Sequence, residues 1–180
     1  MLILDNGTYF IADTYVNYDP DAKQLAEITQ LAANEVKRFG IVPKVALVSH
    51  SNFGSIDNPS AIKLREALKL IHTNMPDLEC DGEMQCDAAL SEEIRQRIYP
   101  KSHLKGKANL LIMPNLDAAN ITFNALKGLA DGVSVGPILL GMNKSIHILS
   151  RVVTTRGVVN LATLAAVDAQ SMVTMENTQS

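Results

Sequence analysis

The chain has 180 residues, 47% of them hydrophobic, and a net charge of -3, which is enough apolar surface for one sizeable core and argues against disorder outside the ends. Its basic residues are scattered, with Lys101, Lys105 and Lys107 the only run, so no nucleic-acid partner is expected. No apolar stretch reaches the ~20 residues that span a bilayer and no signal-peptide layout opens the chain, so a cytoplasmic protein with no membrane partner is expected.

The chain opens with two short apolar runs, Met1 to Leu4 and Thr8 to Ala12, around Asp5-Asn6-Gly7, a tripeptide suited to a hairpin turn. An antiparallel start is unusual for a doubly wound domain and fits a chain whose preceding segment has been cut away. From Asp19 the signals of a helix agree: Asp19 as N-cap, Pro20 at the first helical position, Asp21 in the first turn and Gly40 just past the end. Leu25, Ile28, Leu31, Ala32, Val36 and Phe39 form its apolar stripe.

KVALVSHSNFGS, Lys44 to Ser55, organises the rest of the chain. Val45 to Val48 reads as a strand buried on both faces, and Asn58-Pro59 opens a helix to about Asn74, with Ile62, Leu64, Leu68 and Ile71 as burial candidates. The intervening hydroxyl, amide and glycine residues suit an anion at the carboxyl end of a strand; an ordinary strand-to-helix connection is the plainer alternative. In Asp77 to Leu90, a period of two would set Asp77, Glu79 and Asp81 on one face. Such a carboxylate row suits a divalent cation or a general base, and a solvated edge is the bland alternative.

Ser91 to Tyr99 reads as a short helix, Lys101 to Lys107 as a polar loop, Ala108 to Met113 as a second buried strand, and Asn120 to Ala130 as a helix. Gly132 to Pro137 reads as a further strand, Gly136-Pro137 and Gly141 as a tight passage, and Ile146 to Leu149 as another apolar run. Thr154 and Thr155 are N-cap candidates for a last helix that is apolar nearly all round, and after Ala169 the tail loses periodicity and is expected to fray. Alternating strands and helices predict an α/β fold on a three-layer, mainly parallel sheet. Cys80 and Cys86 read as reduced thiols, the four histidines show no ligand spacing, and no GxGxxG, GxxxxGK[ST] or GxSxG occurs.

Beyond these patterns, the sequence resembles the phosphotransacetylase (phosphate acetyl/butyryltransferase) family. The stretches that carry the resemblance are IADTYVNYDPDAKQLAEI, KVALVSHSNFGS, DGEMQCDAAL, ANLLIMPNLDAANITFNALK, VGPILLGMNKSIHILSR and VVNLATLAAVDAQ, which cover nearly the whole chain in family order. The ending TTRGVVNLATLAAVDAQ is most similar to the phosphotransacetylase-like domain carried behind the catalytic part of large NADP-dependent, oxaloacetate-decarboxylating malic enzymes. The resemblance implies an isocitrate/isopropylmalate dehydrogenase-like fold of two lobes. Residues 1–149 would be the second lobe, and residues 150–180 the final helix that packs on the missing first lobe, with a frayed tail.

It further implies an acyl-CoA cleft between lobes and a homodimer or higher homo-oligomer, with NADP and a divalent metal belonging only to the malic enzyme part. Ser150 and Arg151 match the serine-arginine pair that meets acyl phosphate and CoA. The aspartate credited with deprotonating the CoA thiol, six residues after the arginine, is replaced by Gly157, so impaired or absent acetyl transfer is expected. Ser150, Arg151 and Thr155, with loop residues Ser51, Asn52, Asn120 and Asn143, are the candidate contacts to an acyl-CoA such as acetyl-CoA; for the asparagines, loop capping is the structural alternative. No catalytic residue and no metal ligand is assigned in this chain.

Overall fold

The computed structural model describes residues 1–149, 151 and 153–178, with side chains through residue 170. Among the described residues, six strands form one sheet in the order β4-β3-β5-β2-β1-β6. The strands are β1 (Leu2–Leu4), β2 (Gly7–Ala12), β3 (Val45–Val48), β4 (Cys80–Met84), β5 (Leu110–Ile112) and β6 (Gly132–Ser134). β4, β3, β5 and β2 run parallel, while β1 is antiparallel to both β2 and β6. The opening hairpin and the mainly parallel sheet both follow the sequence pattern.

The helices among the described residues are α1 (Ala22–Arg38), α2 (Pro59–Asn74), α3 (Cys86–Leu90), α4 (Glu92–Ile98), α5 (Leu116–Leu129) and α6 (Thr155–Thr178). Alternation along the central strands divides the core. Val45, Leu47, Leu110 and Ile112 meet Leu25 and Val36 of α1 and Leu64 and Ile71 of α2 on one face. Ala46, Val48, Leu111 and Met84 meet Ala88, Ala89, Leu104 and Ala119 on the other. That is why β3 and β5 read as unbroken apolar runs: both faces are covered.

Local chemistry places the ends. α1 begins after Asp21 rather than Asp19, because Asp21 accepts from the Gln24 N–H at 2.8 Å while Gln24 accepts from the Asp21 N–H at 2.9 Å. Asp19 instead pairs with Lys63 Nζ at 2.6 Å. Asn58 and Asn115 cap α2 and α5 by accepting from Ala61 N–H and Ala118 N–H, and the Gly157 N–H donates to Thr154 Oγ1 at 3.1 Å at the start of α6. The buried stripe of α2 is Ala61, Leu64, Ala67 and Ile71, so Ile62, one position around the helix, stays exposed. β6 stops at Ser134, and Ile146 to Leu149 lie outside any strand, within an irregular strap over residues 135–149. α6 continues to Thr178, well past the loss of periodicity at Ala169.

Two features shape the loops at the sheet edge. Arg95 is fully buried, donating to the carbonyls of Ala88, Leu104 and Gly106 at 2.8, 3.0 and 2.6 Å, and so fastens α4 to the polar loop that precedes β5. In β4 the register with β3 shifts from Leu47 opposite Gly82 to Val48 opposite Met84, so Glu83 is the extra residue of a bulge. Gly82 sits at φ 149°, and a Cβ there would lie 2.8 Å from the Leu47 carbonyl oxygen. Gly82→Ala is therefore expected to cost about 2–4 kcal/mol, combining a backbone region reserved for glycine with a clash against β3. Urea unfolding that shows a loss under 0.5 kcal/mol, on the order of a neutral surface change, would refute this.

Candidate functional site

Because β2, β3, β4 and β5 are parallel, the loops following them gather along one edge of the sheet. After β2, Asp13 folds Tyr15 to Asn17 into a tight turn by accepting from the N–H groups of Tyr15, Val16 and Asn17 at 2.8 to 3.0 Å. Lys63 of α2 bridges this region to the next by donating to Asp19 and to the Pro114 carbonyl at 2.9 Å. Asn120 of α5 donates to the Thr14 carbonyl at 3.2 Å.

The β3–α2 loop is built around Glu83. Its Oε1 accepts from Ser51 Oγ at 2.7 Å, from the Gly54 N–H at 2.9 Å and from Arg65 Nη1 at 3.1 Å, and its backbone carbonyl accepts from the Phe53 N–H at 2.7 Å. Ser51 is fully buried, and Ser51 Oγ also accepts from the Ile56 N–H at 3.1 Å. Phe53, at φ 48°, stacks its ring on Tyr99 with centroids 4.4 Å apart. Asn52 Oδ1 accepts from the Gln85 N–H at 2.8 Å, joining this loop to the one after β4. The loop thus presents His50, whose Nε2 lies 2.8 Å from Asn58 Nδ2, from a braced frame.

Of the acidic stretch, only Asp81 and Glu83 lie in β4 and are buried, while Asp77 and Asp87 are exposed and Glu79, just before the strand, is half-buried. Asp81 and Glu83 are 3% and 0% exposed. Asp81 Oδ2 accepts from Ser102 Oγ and the His103 N–H, both at 2.7 Å, which ties β4 to the polar loop. Among the described residues no cluster of three or more His, Cys, Asp or Glu side chains could hold a metal ion. Burial pushes the Cys86 thiol above its ordinary range, and pushes that of Cys80 far above it.

Beneath the strap lies an apolar cleft of about 170 Å³ between the end of β2, α1 and α5, with Phe10, Ile28, Leu31, Phe123, Pro137 and Ile148 among its walls. Leu31, expected in the core, faces this cleft instead and is 41% exposed. A second, shallow depression joins β6 to the first turn of α6, lined by Ser134, Thr154, Arg156, Gly157 and Asn160.

The candidate contacts fall into two groups. Ser51, Asn52 and Asn120 stand at the carboxyl edge of the sheet, each engaged in the hydrogen bonds that brace its loops. Asn143, Arg151 and Thr155 are exposed on the strap and at the start of α6, and Ser150 lies outside the described residues. Neither cavity has any of the six described candidates among its walls, although Thr154 and Gly157 near Thr155 line the smaller. Gly157 is the third residue of α6, where a Cβ would meet Val153 Cγ2 at 2.8 Å. The sequence gives no sign of the Glu83–Arg65 pair or the Asp13 turn, because no residue spacing announces a contact across a sheet edge.

A three-layered α/β domain whose polar, braced loops collect at the carboxyl edge of a mainly parallel sheet is what fold and loops define. Comparison with known sequences then gives the family: this chain belongs to the Phosphate acetyl/butaryl transferase family, whose profile matches residues 1–166. It is 56% identical over 169 residues to an NAD-dependent malic enzyme of Rhizobium meliloti (strain 1021) and 54% identical over 171 residues to an NADP-dependent malic enzyme of Escherichia coli (strain K12). Each match covers 94% of this chain and 22% of the relative. A phosphate acetyltransferase of Helicobacter pylori (strain J99) is 36% identical, with 94% of this chain and 33% of the relative covered. Among solved structures, a phosphotransacetylase from Streptococcus pyogenes superposes with a TM-score of 0.85 at 36% identity, covering 96% of this chain and 52% of that one. The chain thus spans about a fifth of the malic enzymes and half of that phosphotransacetylase. Among the described residues no helix is long and apolar enough to cross a membrane.

Both thiols are expected to resist iodoacetamide in the native protein near neutral pH and to alkylate fully in denaturant, as mass spectrometry would show. Rapid native labelling of Cys80 would contradict its burial.

Proposed function

We propose that this chain is the phosphotransacetylase-like domain of a malic enzyme, that it binds an acyl-CoA such as acetyl-CoA as an allosteric effector, and that it does not itself transfer acetyl groups. The observation that carries the reading is Gly157. It stands in the first turn of α6, six residues beyond Arg151, where the resemblance calls for a carboxylate, and its nearest side-chain neighbours are Val153 and Thr154.

Deprotonating a thiol of pKa about 8.5 near neutral pH needs a base within reach, and neither Thr155 nor Arg156 is one. What remains is suited to holding an anion: the exposed guanidinium of Arg151 with its fork of donors, Arg156, and the N–H groups of the α6 first turn. Ser150 would complete the group. The malic enzyme relatives support placing this domain inside a longer chain, where NADP and a divalent metal would belong to the other part. Exposed Val158, Val159 and Val167 on α6 support its packing against further protein, in keeping with an oligomer-building role. Regulation then requires the ligand to favour one arrangement of that assembly over another.

The alternative is an active phosphate acetyltransferase in which another group replaces the missing aspartate; the phosphate acetyltransferase relatives favour keeping it in view. The full-length protein is expected to form acetyl phosphate from acetyl-CoA and phosphate at least about 10²-fold more slowly than a working member of the family, since a general base contributes about 10²–10⁴-fold. Turnover at the full rate would overturn the non-catalytic reading.

Gly157→Asp, which requires Val153 to shift and places an anion at a helix N-terminus, is expected to raise that residual activity. By calorimetry on the full-length protein, acetyl-CoA is expected to bind, and Arg151→Ala to weaken it roughly 10–100-fold, the worth of a charge-assisted hydrogen bond. Unchanged affinity would remove Arg151 from the site, and no binding by wild type would leave an oligomerisation domain alone.

A further inference from the structure

α1, the strap and α6 meet in one buried group of charges that neither the acyl-CoA reading nor the sheet core uses. Glu35 and Arg38 lie on one face of α1, with Arg38 Nη1 donating to Glu35 Oε2 at 2.9 Å. Arg38 Nη2 donates to Asp168 Oδ1 of α6, and His147 Nε2 of the strap lies 3.1 Å from Asp168 Oδ2. The side chains of Glu35, His147 and Asp168 are only 5%, 4% and 7% exposed. Arg38 and Asp168 are 130 positions apart in the chain, and His147 and Asp168 are 21 apart, so the group exists only in the folded chain.

The group is one positive charge short. Its two carboxylates face a single permanent cation, and the imidazole adds a second only when protonated. Glu35 Oε1, His147 Nδ1 and Ser145 Oγ are buried with no hydrogen-bond partner among the described residues. Buried charge left uncompensated is costly, and a proton or a metal ion are the usual remedies. No metal-holding cluster is present among the described residues, which leaves the proton. Arg38, Asp168 and His147 are the charged or titratable groups that act on Glu35, while Lys144 of the same strap is exposed. Burial holds the Glu35 carboxyl above the ordinary carboxylate range, despite Arg38 beside it.

We propose that Glu35, Arg38, His147 and Asp168 form an ionic clasp that closes on taking up one proton, holding α6 and the strap on α1 more tightly in mild acid than at neutral pH. Glu35 sets the sign. A group whose folded pKa is raised contributes stability that is complete below its unfolded value and is lost as pH rises through the folded one. Acid strong enough to protonate both carboxylates ends the pairing with Arg38. The clasp is independent of whether the domain binds CoA.

Hydrogen exchange on the full-length protein, corrected for the intrinsic pH dependence of exchange, tests it in mild acid at about pH 5.5 and above neutrality at about pH 7.5. Peptides from the strap and α6 are expected to be roughly tenfold more protected at the lower pH, while those of β3 and α2 stay constant and report global folding. Glu35→Gln removes the charge deficit at the same shape and should abolish the pH difference by keeping protection high at both values. Asp168→Asn should lower protection of α6 at both. A flat wild-type profile overturns the proposal by itself, as does a Glu35→Gln protein that keeps the full pH difference.

Discussion

The bulge at Glu83 is the constraint on which the loop edge depends. A carboxylate with no exposed surface is costly unless it is paired, and Oε1 takes three donors, from Ser51, Gly54 and Arg65, while Oε2 has no partner among the described residues. The extra residue in β4 turns that side chain out of the ladder and under the β3–α2 connection. Gly82 permits the approach, because its α-carbon stands where any side chain would strike β3. Strand register, glycine and carboxylate therefore act together, and the loop after β3 has its shape as a result.

The same economy recurs at the other connections. Arg95 gathers three carbonyls beneath the polar loop, Asp81 takes two donors from that loop, and Asp13 closes its own turn. Arg95 and Asp81 are buried charges held by directed hydrogen bonds where solvation has been removed, and half-buried Asp13 organises its turn through backbone N–H groups. Such bonds rigidify loops that lie at the sheet's carboxyl edge, where parallel α/β domains place their ligands. The strap and α6 differ: the strap covers the apolar cleft, and both meet the α1 charge group through His147 and Asp168, with Val158, Val159 and Val167 of α6 exposed.

For function, the proposed reading turns on a single position. Similarity to both malic enzymes and phosphate acetyltransferases extends over more than nine-tenths of the chain, so the scaffold is common to both. Gly157 is where our reading departs from transfer chemistry. A glycine at the third position of a helix is tolerated sterically and supplies no side-chain proton acceptor.

The sequence by itself determined the elements whose causes are local: the Asp5-Asn6-Gly7 hairpin, the Asn58-Pro59 start of α2, and the doubly buried β3 and β5. It misplaced the start of α1 by two residues because Asp19 and Asp21 both have capping chemistry, and only Gln24 reaching back decided between them. It showed Asp81 and Glu83 as acids on a strand, with no sign that Ser51, Arg65, Ser102 and His103 would come to meet them. Periodicity reports which face of an element is apolar, but not which distant side chain will stand opposite. That pairing, for Glu83 as for Asp168 on Arg38, was decided by the crossing of elements far apart in the chain, and so by the tertiary structure alone.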